Sequence, residues 1–383
     1  MVRIGILGAS GFIGNRAVEM LHAQGSYDVR PILRTADRIN RLTVRELDYR
    51  VANALDRSAL QKAFTGCDVV IHSIVGSPGL IRGSVVPAYQ AAEKAGVRRL
   101  IYLSSMCVHG QAPVTGTIED SPLSKQQPFP YNTAKIDAEQ NLQQLRANGS
   151  VEVVIFRPGI VFGPRSSRVI EIAEQLLNGS ACFINQGEGV CNTVYVDNLV
   201  HSMQLAIASV AADGQAFFVG DRELVNWRDF YRPFAAALGV DPTQISTVPM
   251  PEFAVPSRKQ QLIGSIRDSE WMQKALSLVA DELRQTIKQV IPKREKSPTV
   301  VPQASSIQTP PIMSQEMSLL QQSQYKLPFD KAEKILGYEP IVSFEDACCR
   351  SVDWLTSKWM NHPVTQHEPI PLRTYLEKKV PKE

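Results

Sequence analysis

Disulfide spacing, membrane-length apolar runs and charge of one sign are what this 383-residue chain has least of. Its cysteines, Cys67, Cys107, Cys182, Cys191, Cys348 and Cys349, show no CxxC spacing and no small disulfide framework. They read as reduced thiols of a cytoplasmic protein. No uninterrupted apolar run approaches the roughly 20 residues that a membrane-spanning helix needs. Met1–Gly8 runs directly into a glycine turn, without the apolar stretch and cleavage site of a secretory signal. With 41 Lys and Arg against 38 Asp and Glu, dispersed rather than in blocks, the net charge of +3 offers no hold on a nucleic acid. A hydrophobic content of 44% excludes wholesale disorder. The expectation is a soluble intracellular enzyme.

Short apolar runs alternate with helical patterns through the first half. Strands are expected at Arg3–Leu7, Val29–Leu33, Val69–Ile71, Leu100–Leu103 and Val153–Phe156. Helices are expected at Asn15–Ala23, Ser58–Phe64, Val86–Ala95 and Thr133–Arg146. Continuous rather than alternating apolar strands, each followed by a helix, indicate a parallel sheet covered on both faces. This is a doubly wound α/β architecture, whose ligands sit beyond the carboxyl ends of the strands.

Residues 1–160 form the expected dinucleotide-binding domain, its sheet completed by about 194–220. Val194–Ala208 is read as a further strand and helix of that same sheet. Residues 161–193 and 221–358 form an interleaved, smaller substrate-binding lobe. From Ser269 to Ile291, Met272, Leu276, Val279, Leu283, Ile287 and Val290 recur at helical spacing, an apolar stripe for core or subunit interface rather than a membrane surface. Residues 293–315, with Pro298, Pro302, Pro310 and Pro311 among Ser, Thr and Gln, read as a disordered excursion, and 359–383 as a tail.

Gly8-Ala9-Ser10-Gly11-Phe12-Ile13-Gly14 lies between the first strand and the first helix. Glycine there permits a tight turn and close approach of backbone to a pyrophosphate, and the helix N-terminus adds free N–H groups. At the end of the second strand an NAD site needs a carboxylate, whereas an NADP site needs a cation for the 2′-phosphate. The strand ends in Arg34, with Arg38 and Arg41 close behind. NADP(H) is therefore preferred, with NAD(H) the alternative. Asn53 follows the third strand region, where its amide either meets an adenine edge or closes a turn.

Tyr131 and Lys135 are four residues apart, on one face of a helix. A free tyrosine has a pKa of about 10, and a nearby ammonium lowers it, making a usable acid/base at a carbonyl. The same lysine can bond the nicotinamide ribose. Spacing alone is weak, since Tyr375 and Lys379 repeat it in the tail without a strand beside them. What distinguishes Tyr131 is its place after a strand that ends in Ser104 and Ser105, hydroxyls able to orient a substrate oxygen.

Together with Asp68–His72, Leu103–Gly110, Arg157–Pro164, Tyr195–Asn198, Phe329–Ala332 and Leu336–Pro340, these motifs resemble the extended short-chain dehydrogenase/reductase family, also called the NAD-dependent epimerase/dehydratase family. The resemblance covers residues 1–358. It implies a Rossmann lobe, a catalytic Ser105–Tyr131–Lys135 triad and frequent homodimerisation. It also places Gly8, Ser10, Gly11, Phe12, Ile13, Gly14, Ala54, Lys135 and Pro158 on the cofactor. Dehydratases of the family carry an Asp-Glu pair where Met106 and Cys107 stand here. Epimerases carry Asn at Ile160 and a phosphate-binding Arg at Cys191, losses for which Arg165 and Arg168 could compensate.

Cys107, Ile160, Arg165 and Arg168 are the expected substrate contacts. The substrate is a small carbonyl or alcohol compound, or a sugar nucleotide. Arg34 resembles the NADPH-using reductases of the family. The leading expectation is an NADP(H)-dependent oxidoreductase; the alternatives are a sugar-nucleotide epimerase or epimerase-reductase, and a non-catalytic dinucleotide-binding assembly protein. His72, His109 and His201 lack clustered partners, and this chemistry needs no metal.

Overall fold

The apolar runs of the first half become strands β1 (Val2–Leu7), β2 (Tyr27–Leu33), β3 (Arg50–Val51), β4 (Val69–His72), β5 (Arg99–Leu103) and β6 (Glu152–Pro158) in a computed structural model. It describes residues 1–251 and 313–359. Helices α1 (Phe12–Ala23), α2 (Arg57–Phe64), α3 (Pro78–Ala95) and α4 (Pro130–Asn148) connect them. Three further strands and two helices follow: β7 (Ile160–Phe162), α5 (Ser167–Leu177), β8 (Cys182–Phe183), β9 (Thr193–Tyr195) and α6 (Val196–Ala208). Then come β10 (Ala216–Val219), α7 (Trp227–Ala237) and β11 (Ser246–Thr247), and beyond the gap α8 (Gln315–Leu320), α9 (Asp330–Leu336) and α10 (Phe344–Trp359).

Seven strands form one parallel sheet in the order β10-β6-β5-β4-β1-β2-β3. Its residues alternate between two cores. Ile4, Ile6, Val69, Ile71, Ile101, Leu103, Val154 and Phe156 pack on the α1–α6 side. Leu7, Val70, Leu100, Tyr102, Val153 and Ile155 pack on the α2–α3–α4 side. Burial on both faces is why these strands carry unbroken apolar sequence. The fold is the doubly wound Rossmann type expected, and its order turns outward on either side of β1 and β4, opening the ligand crevice there. A third core gathers Phe162, Ile172, Phe183, Trp227, Phe230 and Leu355.

Two expectations need correction. Thr193–Tyr195 does form a strand followed by a helix, but it pairs with Ile160–Phe162 in a separate two-stranded sheet. The seventh main-sheet strand is instead Ala216–Val219, beside β6. A strand pattern states that a strand forms, not which edge it joins. Of the excursion at 293–315, residues 313–315 are ordered: Met313 is buried in the third core and Ser314 caps α8 through the Met317 N–H. The rest of that excursion, the helix at Ser269–Ile291 and the tail beyond Trp359 lie outside the described residues.

Helix α3 begins well before Val86, capped by Ser77 with Pro78 in its first turn. Buried Gly79 and Gly83 and the internal Pro87 give those turns poor helical propensity, which tertiary packing overrides. Among the described residues no helix is long and apolar enough to cross a membrane.

Candidate active site

Two glycines shape the turn between β1 and α1. Gly8 has φ +91°, and a Cβ on Gly14 would sit 2.3 Å from the Gly8 carbonyl oxygen. The helix can therefore start hard against the strand end. The Gly11 N–H closes the turn on the Gly8 carbonyl at 2.9 Å. No side chain caps α1, and its first turn, opened by Phe12 and Ile13, holds no acidic residue. Its free N–H groups and positive dipole end are available to an anion, so Gly8, Ser10 and Gly11–Gly14 fit a dinucleotide pyrophosphate.

Arg34 follows β2 directly, is exposed, and makes no hydrogen bond to any described residue. Asn53 uses its side-chain oxygen to accept the Leu55 N–H at 3.1 Å, the turn-closing role. Ala54 beside it is buried, as is Pro158 at the end of β6.

Ser105, Tyr131 and Lys135 gather where β5 ends. Ser105 caps a short 3-10 turn, Met106–His109, its Oγ accepting the Cys107 N–H at 3.2 Å. Tyr131 occupies the first turn of α4 behind Pro130, with Ser105 near enough to influence its phenol. One turn on, the buried Lys135 donates from Nζ to the Leu103 carbonyl at 2.6 Å. That Nζ lies 4.9 Å from the Tyr102 ring centroid and 6.0 Å from that of Tyr131.

Burial sets the titration of this group. It pushes the Tyr131 phenol well above its ordinary value, with the Cys107 thiol adding to the rise and the neighbouring Ser105 hydroxyl opposing it. Burial also lowers the Lys135 ammonium to about 7, against the pull of Glu139. The expected direction, a phenol lowered by the lysine, is thus reversed here, because Lys135 is spent on a carbonyl and desolvation dominates. Behind Lys135, both ring nitrogens of His72, the Tyr102 hydroxyl and the Ser104 hydroxyl are buried without partners among the described residues.

Residues 4–220 match the family model described as the NAD dependent epimerase/dehydratase family. The chain belongs to that family. Among curated relatives, it is 26% identical over 265 residues to a 3β-hydroxysteroid dehydrogenase/Δ5→4-isomerase of Mycobacterium tuberculosis, covering 62% of this chain and 70% of that protein. It is 27% identical over 255 residues to a UDP-glucose 4-epimerase of Vibrio cholerae, covering 61% and 75%. Among solved structures, a dTDP-glucose 4,6-dehydratase of Streptomyces venezuelae with NAD bound matches with TM-score 0.66 and 18% identity, covering 94% of this chain and 98% of that one.

Within this epimerase/dehydratase fold, several positions depart in chemistry. Met106, Cys107 and Cys191 are buried, and burial raises the Cys107 thiol to about 11 and the Cys191 thiol well above its ordinary value, so none of the three is a ready acid or anion ligand. Ile160 packs, half-buried, against the third core. Arg168 pairs with Glu171 at 3.1 Å and lines a cavity of about 360 Å³ with Cys182, Tyr231, Glu316 and Met317. Arg165 lines a different cavity, of about 250 Å³, with Phe12, Arg16, Glu19 and Arg350.

Three groups escaped the sequence reading. Glu139 forms a buried ion pair with Arg157 at 2.6 Å, and its one signal is that it lies four residues beyond Lys135 on the same helix. Glu316 stands close enough to Tyr131 and Cys107 to influence both, across a sequence distance no pattern bridges. Asn15 and Thr43 bond each other, an interaction that only the folded loop creates. Among the described residues no group of His, Cys, Asp and Glu is arranged to hold a metal ion.

Proposed function

We propose that the protein is an NADP(H)-dependent oxidoreductase acting between a carbonyl and an alcohol carbon. The observation that carries this reading is the placing of the Ser105 and Tyr131 side chains as neighbours at the carboxyl end of the sheet, with Lys135 buried one helical turn behind Tyr131. Gly8, Ser10, Gly11–Gly14, Ala54, Lys135 and Pro158 would hold the dinucleotide, which when bound supplies the hydride chemistry. Ser105 orients the substrate oxygen, and Tyr131 exchanges a proton with it. Lys135 holds ribose and supports the phenol as its charge changes.

Arg34 supports the choice of NADP(H). It is an exposed guanidinium at the strand end, near Asp37, with Arg38 and Arg41 on the segment that follows. Arg34→Ala is expected to weaken NADPH binding by about tenfold and leave NADH affinity within about twofold, the loss of one charge-assisted phosphate contact. Fluorescence titration with each nucleotide checks it, and an unchanged NADPH/NADH ratio removes the assignment.

A net redox reaction is favoured over sugar-nucleotide epimerisation because the two candidate diphosphate cations are already occupied. Arg168 is paired with Glu171 and Arg165 with Glu19. An epimerase keeps its dinucleotide through turnover, whereas a reductase releases it. Native mass measurement of the purified protein separates the two and reads the subunit number, for which the same reading carries a homodimer in the cytoplasm.

A further inference from the structure

The segment after β2 carries Arg34, Arg38 and Arg41, and its far end is held by two residues from other parts of the chain. Asn15, buried in the second turn of α1, donates to the Arg41 carbonyl at 3.2 Å and to Thr43 Oγ1 at 3.3 Å. Its side-chain oxygen accepts the Thr43 N–H at 3.3 Å. The amide thus pairs with this segment as a neighbouring strand would. From the turn after β7, Arg165 donates to Thr43 Oγ1 at 2.9 Å and to Glu19 Oε1 at 2.9 Å.

Arg165 reaches both from an unusual backbone. Its φ is +70°, a left-handed conformation that costs a non-glycine residue on the order of 1–3 kcal/mol and persists where surroundings impose it. The turn that carries it is fixed from below. A Cβ on Gly163 would lie 2.9 Å from Val196 Cγ1 and 3.6 Å from the Phe12 ring, so the turn rests on the first residue of α1. The pyrophosphate-facing helix, this turn and the arginine-bearing segment are therefore buckled together at Thr43.

We propose that Asn15 and Arg165 are positioning residues for the adenosine 2′-phosphate, holding the segment that presents Arg34, Arg38 and Arg41 at a fixed distance from the start of α1. This rests on the NADP(H) reading above. A phosphate contact depends on guanidinium placement far more than a ribose hydroxyl does, so loosening the segment penalises NADPH and spares NADH. Arg165 is accordingly a cofactor-side residue, although its position in sequence points to the substrate.

Binding of NADPH and of NADH to the full chain, each followed by nucleotide fluorescence, tests this in Arg165→Ala, Thr43→Val and Arg34→Ala/Arg38→Ala. Arg165→Ala and Thr43→Val are each expected to weaken NADPH about fivefold with NADH changed less than about twofold, and Arg165→Lys to recover part of the loss. Adding Arg165→Ala to Arg34→Ala/Arg38→Ala is expected to weaken NADPH no further, since the residue acts through those arginines. Equal weakening of both nucleotides, no weakening, or an undiminished effect in the double-arginine background overturns the positioning role. If Arg34→Ala/Arg38→Ala itself leaves the NADPH/NADH ratio unchanged, the NADP(H) reading fails first and takes this inference with it. Should Arg165→Ala not fold, Thr43→Val carries the same comparison alone.

Discussion

Tyr131→Phe is expected to lower turnover by about a thousandfold while dinucleotide affinity stays within about twofold, the range for losing a positioned general acid. The phenylalanine keeps the ring that packs at the start of α4 and removes only the hydroxyl beside Ser105. Direction matters as well. Burial keeps the phenol above its ordinary value, so at neutral pH Tyr131 is protonated and ready to deliver a proton to a substrate oxygen. Carbonyl reduction should therefore be flat in pH across neutrality as far as Tyr131 is concerned. Alcohol oxidation, which needs the phenolate, should rise toward alkaline pH. Initial rates in both directions between pH 6 and 10 read this. A Tyr131→Phe protein with undiminished turnover would move the proton transfer to another group.

The parallel sheet was legible because its strands are buried on both faces, which writes unbroken apolar runs such as Val69–Ile71 into the sequence. Partnership was less legible. Thr193–Tyr195 looks like any buried strand, and pairing it with Ile160–Phe162 is a tertiary choice. Helix α3 hid its first two turns behind the buried Gly79 and Gly83, residues of poor helical propensity. In the helix local propensity lost to burial, and in the strand it held while tertiary packing chose the partner.

The candidate site divides along the same line. The glycine turn, Ser105, Tyr131 and Lys135 could be read because motif spacing on one strand end and one helix face survives translation into three dimensions. Their electrostatics could not. A lysine four residues from a tyrosine suggests a lowered phenol, yet Lys135 turns to the Leu103 carbonyl and both groups feel desolvation more than each other. Arg165 shows the other limit. Chain position groups it with Arg168, while a left-handed turn sends its side chain toward Glu19 and Thr43.

The buried histidines give the other large expected effect, loss of stability on mild acidification. Burial and the charge of Lys135 hold His72 at about 3, and burial with Arg157 beside it holds His109 at about 4, both below the ordinary 6.5. Between 6.5 and those values the unfolded chain binds protons that the folded chain refuses, so the penalty from these two imidazoles is absent well above pH 6.5 and grows as pH drops. His72, with an exposure of 1%, is expected to cost about 2 kcal/mol between pH 6.5 and 5, at 1.36 kcal/mol per unit. His109 adds in the same sense. Lys135, lowered toward 7, extends the trend upward, since stability also rises from there toward the ordinary lysine range. Glu119 and Asp221, raised by burial, act in the opposite sense as pH falls through their folded-state values, so the comparison with His72→Phe isolates the imidazole. Urea unfolding at pH 7.5, 6 and 5 should show this slope, and His72→Phe should reduce it by about one proton. An unchanged slope in that variant, or a His72 ring that titrates near 6.5 by NMR, would show that the ring is charged in the folded chain. The neutral, unpartnered imidazole against Tyr102 would then no longer describe the space behind Lys135.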